Sequence, residues 1–133
     1  MITKLSALSA MTTIVSDTAD IASVRRIRPT DCTTNPSLVF KAVSIPEFEE
    51  TFQEAIAWGE GQNFSEEYRV RAIADRLAVS IGAALVEIVP GRVSTEVDAD
   101  FSFDVHGSIA RAESIIADYE RRNIPRERIL VKL

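Results

Sequence analysis

Apolar positions along this chain alternate between two periods. Short β-branched runs such as Thr13-Ile14-Val15-Ser16-Asp17 read as strands, and longer stretches with apolar residues every three or four positions read as helices. After the first strand, Asp17 or Thr18 offers a cap for a helix from Ala19 to about Arg26, with Arg25 and Arg26 at its cationic end and Pro29 beyond it. Asp31 to Thr34 reads as a second strand, and Asn35-Pro36-Ser37 turns into a helix reaching about Val43. Pro46 opens a helix carrying Phe48, Phe52, Ile56 and Trp58 to Gly59 or Gly61. Asn63 and Ser65 offer caps for the next helix, with Glu66 and Glu67 in its first turn; it extends to about Val89. Its second half is apolar nearly all round, which predicts burial. Pro90-Gly91 stops it. Arg92 to Asp98 is the third strand, Phe103 or Asp104 starts a helix to Arg122, and Pro125 precedes a fourth strand from Ile129 to Leu133.

Strands separated by helices predict an α/β fold: a parallel sheet with helical crossovers. Such strands are normally apolar on both faces. Here they carry ionisable groups on one face. Ser94, Glu96 and Asp98 point away from Val93, Thr95 and Val97; Asp17 shares a face with Val15, and Lys132 with Leu130. Charged side chains at strand C-terminal ends mark the place where α/β enzymes build their chemistry.

Composition narrows the classes. Of 133 residues, 46% are hydrophobic and 26% charged, enough core to exclude disorder and collagen-like sequence. A net charge of −5 gives no pull toward nucleic acid or an anionic membrane, so neither is expected as a partner. The single cysteine, Cys32, forms no internal disulfide, which favours a reducing, cytoplasmic compartment. Met1 to Ala10 is broken by Ser6 and Ser9 and is not expected to make a leader. Leu77 to Val89 falls short of the roughly 18 residues of a membrane span. One Cys and one His, His106, supply neither a metal cluster nor a Cys-His pair, and the glycines show no phosphate-loop spacing. His106 is expected at the surface, and Phe48, Phe52 and Trp58 in the core.

Four motifs go further: Asp17-Thr18-Ala19-Asp20; Asp31-Cys32-Thr33-Thr34-Asn35-Pro36-Ser37-Leu38; Pro90-Gly91-Arg92-Val93-Ser94-Thr95-Glu96-Val97-Asp98-Ala99; and Arg128-Ile129-Leu130-Val131-Lys132-Leu133. In this order and spacing the chain resembles the transaldolases, TIM-barrel Schiff-base enzymes of the pentose phosphate pathway. The resemblance covers the first four barrel strands, so residues 1–133 would form a single partial domain, the N-terminal half of a (β/α)8 barrel. It implies a transferase moving a dihydroxyacetone unit between sugar phosphates. Lys132 would be the nucleophile, Asp17 the acid/base during carbon–carbon cleavage, and Glu96 the proton relay of imine formation. Asn35 would hydrogen-bond the bound dihydroxyacetone unit, and Thr33 support the neighbouring wall. No metal or cofactor is implied, because the protonated imine is the electron sink. A lysine attacks only as the free amine, a form that desolvation favours and neighbouring carboxylates oppose.

The residues by themselves allow plainer roles. Lys132 would be a solubilising lysine, Asp17 a helix cap, Asn35 a turn residue, and Glu96 an interior carboxylate paired with Arg92. Asp100 stands where the family commonly has arginine, a reversal expected to disturb a structural ion pair, and Cys32 replaces the usual alanine. The chain stops within a strand signal, so the family's phosphate-holding arginines are expected to lie outside it and turnover to be slight. Two alternatives follow: a non-catalytic half-barrel that self-associates through its open edge, or a related Schiff-base aldolase.

Overall fold

The computed structural model describes residues 3–133. The elements run α1 (Lys4–Ser9), β1 (Val15–Asp17), α2 (Ile21–Ile27), β2 (Asp31–Thr33), α3 (Pro36–Ala42), α4 (Glu49–Glu60), α5 (Glu66–Val86), β3 (Val93–Glu96), α6 (Val105–Arg121) and β4 (Ile129–Lys132). Short 3₁₀ turns precede α4, α6 and β4. Met1 and Ile2, the first residues of the Met1–Ala10 stretch that is not expected to be a leader, lie outside the described residues. From Thr3 onward that stretch is a helix the apolar pattern does not announce. Thr3 and Ser6 cap it reciprocally, each side-chain oxygen accepting the other's backbone N–H at 3.1 and 2.9 Å.

The four strands form one parallel sheet in the order β1-β2-β3-β4, each step made through helices. Parallel strands in sequence order joined by helices fit a partial (β/α)8 barrel, and here the sheet is not closed. The predicted crossovers hold, including three helices between β2 and β3. The strands are shorter than the sequence suggests: β3 keeps only Val93–Glu96, the four residues that β4 pairs. Likewise α5 ends at Val86 rather than Val89.

One cap assignment changes and one is settled between its two candidates. Neither Asp17 nor Thr18 caps α2; Asp20 does, accepting the Ser23 N–H at 3.2 Å and the Ser23 hydroxyl at 2.6 Å. Those bonds hold the Asp20 carboxyl below its ordinary pKa, the side-chain bond contributing most. For α6 the cap is Asp104, the second of the two candidates.

The core lies between the sheet and the helices. Val93 and Ile129 are wholly buried from the strands, Ile81 and Leu85 from α5, and Tyr119 from α6. Tyr119 reaches the sheet through a 2.6 Å hydrogen bond between its hydroxyl and that of Thr95. A Cβ at position 82 would collide with the Tyr119 hydroxyl, so Gly82 is where α5 lets that ring through. Phe48 is core as expected, whereas Trp58 is half-buried, with the Arg76 guanidinium 4.7 Å from its ring centroid. No helix among the described residues is long and apolar enough to cross a membrane.

Candidate active site

The bond between Thr95 and Tyr119 sets the direction of every side chain on β3. Thr95 and its neighbours Val93 and Val97 face the helices, so Ser94 and Glu96 face the opposite, open side. Parallel pairing then carries that face across the sheet. Asp17 lies opposite Thr33, Thr33 opposite Ser94, and Ser94 opposite Leu130. Glu96 and Lys132 form the next row toward the strand C-terminal ends.

Two couples stand on this face. Lys132 Nζ lies 2.5 Å from Glu96 Oε2, with the side chains 42% and 25% exposed. The Arg92–Glu96 pair that the plainer role of Glu96 required does not form. Arg92 sits at the other end of β3, where its backbone N–H donates to Asp31 Oδ1 at 2.7 Å. Glu96 is instead opposite Lys132 by strand register, which alone brings the charges together. The second couple is Asp17 and Thr33: the Thr33 hydroxyl donates to Asp17 Oδ1 at 2.7 Å. β1 and β4 are three strand spacings apart, about 14 Å along the sheet. The two couples are therefore separate stations on one face.

Asn35 continues from β2 and is the N-cap of α3, its Oδ1 accepting the Leu38 N–H at 2.9 Å. Its acceptor oxygen is thus engaged in the fold, and its amide NH₂ is the group left for a ligand. With Glu96 it lines a cavity of about 300 Å³ whose other walls include Val39, Phe40, Val70 and Ile73. Two residues that the site reading left out also matter. Ser94 is buried on the open face between Thr33 and Leu130, as the Val-Ser-Thr-Glu alternation could have indicated. Thr34 faces the opposite way and bonds the Ser94 carbonyl through both its N–H (3.0 Å) and its hydroxyl (2.9 Å).

The departures from the family pattern are accommodated. Asp100 pairs with Arg71 of α5 at 3.2 Å, so the aspartate has an ion pair of its own. Cys32 faces the core, where burial, with a smaller push from the Asp31 charge, raises its thiol to about 11. His106 is exposed at the start of α6.

A family model described as Transaldolase/Fructose-6-phosphate aldolase matches residues 14–133. Among curated proteins, the chain is 57% identical to a transaldolase of Rhizobium etli (strain CIAT 652) over 133 residues, all of this chain and 41% of that protein. It is 56% identical to the transaldolase of Agrobacterium fabrum, with the same coverage. Against the transaldolase of Aeromonas salmonicida the identity is 47%, over all of this chain and 42% of that protein. The chain thus spans about two-fifths of the length of these relatives.

Proposed function

Since the chain belongs to the transaldolase/fructose-6-phosphate aldolase family, we propose that it carries the Schiff-base half of a transaldolase site. Residues 1–133 are read as one partial domain, the N-terminal half of the barrel. The substrates are sugar phosphates, and the unit transferred is dihydroxyacetone. The observation that carries this reading is the Lys132–Glu96 couple on the open face of the sheet.

The chemistry follows from that couple. Lys132 gives its proton to Glu96 and attacks the ketose carbonyl carbon, forming a carbinolamine. Glu96 returns a proton to the carbinolamine hydroxyl, which leaves as water, and the protonated imine remains on Lys132. Asp17 takes the proton of the C4 hydroxyl while the C3–C4 bond breaks, and the electron pair enters the imine to give an enamine. The aldehyde phosphate departs. Asn35 holds the dihydroxyacetone hydroxyls through its amide NH₂. Addition of the enamine to an acceptor aldehyde reverses these steps.

Incubation with fructose 6-phosphate and borohydride, followed by mass measurement, tests the reading. A reduced adduct is expected in the parent and absent in Lys132→Ala, with Glu96→Gln slowing its formation at least tenfold. A parent chain that traps no ketose refutes it. The reading includes a cytoplasmic setting and self-association through the unpaired edges of the sheet. An aldolase that cleaves without transfer would show a rate indifferent to the acceptor aldehyde.

A further inference from the structure

We propose that Thr33 is the positioning residue for Asp17, fixing which carboxylate oxygen accepts the substrate proton. This rests on the Schiff-base reading above and adds a specific division of labour within it. Asp17 and Thr33 are opposite one another in the β1–β2 register. Neighbouring strands lie about 4.8 Å apart, which puts a threonine hydroxyl within reach of the next strand's carboxylate. The bond is made, at 2.7 Å, and it is charge-assisted.

The terminal torsion of an aspartate is soft and close to two-fold, so an unrestrained carboxylate presents either oxygen in many orientations. The Thr33 hydroxyl removes that freedom by occupying Oδ1. Oδ2 is then the proton acceptor. Thr33 is itself well held: its β-branch stiffens χ1. The next residue, Thr34, bonds the Ser94 carbonyl twice from the opposite face of β2. Asn35 then caps α3. The end of β2 is therefore tied to β1 on one side, β3 on the other, and α3 beyond. Asp17 also has no competing duty as a helix cap, since Asp20 performs it.

In the cleavage step the proton of the C4 hydroxyl passes to Oδ2 as the C3–C4 pair moves into the imine. A carboxylate turned away from that hydroxyl loses this step but not imine formation, which belongs to Lys132 and Glu96 on β4 and β3. The role therefore separates two steps of one reaction.

The test compares Thr33→Val, which keeps the shape, with Thr33→Ser, which keeps the hydroxyl. In Thr33→Val, borohydride trapping of fructose 6-phosphate measures imine formation, and the release that follows is expressed per trapped adduct. Single-turnover release of the aldehyde phosphate is expected to fall roughly tenfold or more. Thr33→Ser should recover most of that release. Equal release from parent and Thr33→Val overturns the proposal. A second readout needs no turnover: the carboxyl carbon resonance of Asp17, assigned with Asp17→Asn, should move in Thr33→Val and stay in place in Thr33→Ser. An unmoved resonance in Thr33→Val also overturns it. A parent that traps no ketose would refute the Schiff-base reading and leave the resonance to decide the pairing.

Discussion

Tyr119 links the packing of the sheet to pH. Burial pushes its hydroxyl up to about 12, against the smaller opposing effect of the Thr95 bond. A folded-state value above the unfolded one near 10 means the contribution to stability is complete below pH 10 and is lost as pH rises toward 12. A shift of that size corresponds to roughly 2–3 kcal/mol. Cys32 acts with the same sign over a range that starts lower, from about 9 to about 11. Urea midpoints measured from pH 8 to 12 should therefore fall less steeply for Tyr119→Phe than for the parent. At neutral pH that variant should lose about 1–3 kcal/mol, because the buried Thr95 hydroxyl loses its partner. Parallel pH profiles for the two proteins would refute this. The residue scale is also where local reading was weakest. Asp17-Thr18-Ala19-Asp20 offers three capping side chains in four positions, and propensity does not rank them. Pairing with β2 keeps Asp17 extended, so the helix can begin only later, at Ile21.

Among the elements, Arg128 has the most structural work to do. Its Nε donates to the Gly91 carbonyl at 2.5 Å, and its Nη2 to the carbonyls of Val86 and Val89 at 3.0 and 2.7 Å. One guanidinium thus closes the C-terminal end of α5 and binds it to the start of β4. Gly91 takes part in the same corner: a Cβ there would meet the Asp31 carboxylate and the Thr30 carbonyl. Replacing Arg128 with alanine should cost about 2–4 kcal/mol in urea unfolding, since three carbonyls lose a charged donor. Arg128→Lys should recover only part, because an ammonium lacks the planar fork. A lysine variant as stable as the parent would show that charge alone suffices. Element order and type were legible from periodicity, but element ends were not. A strand ends where its neighbour stops pairing, so β3 depends on β4, which lies more than thirty residues away in the chain.

For the whole molecule, the decisive feature is that β1 and β4 are both edges of the sheet. Apolar side chains are exposed beside each: Phe103, Val105, Ile109 and Leu130 on the β4 and α6 side, Val15 on β1, and Leu5, Leu8 and Met11 ahead of it. Unpaired parallel edges flanked by apolar surface favour association. Sedimentation velocity from about 1 to 100 µM should show mass rising with concentration, and Leu130→Lys should reduce it. A monomer across that range would refute the expectation.

The sequence by itself determined the alternation of strands and helices, the parallel α/β class and the family motifs, because periodicity, caps and short motifs are local signals. It also set charged side chains on one face of each strand, because side-chain alternation along a strand has a period of two, while the pairing of the strands made those faces one. Only the tertiary structure decided which of these groups meet. Register set Glu96 against Lys132 rather than Arg92, and Thr33 against Asp17. A register is a relation between segments distant in the chain, and alternation fixes which face a residue takes but not which residue of the next strand it meets.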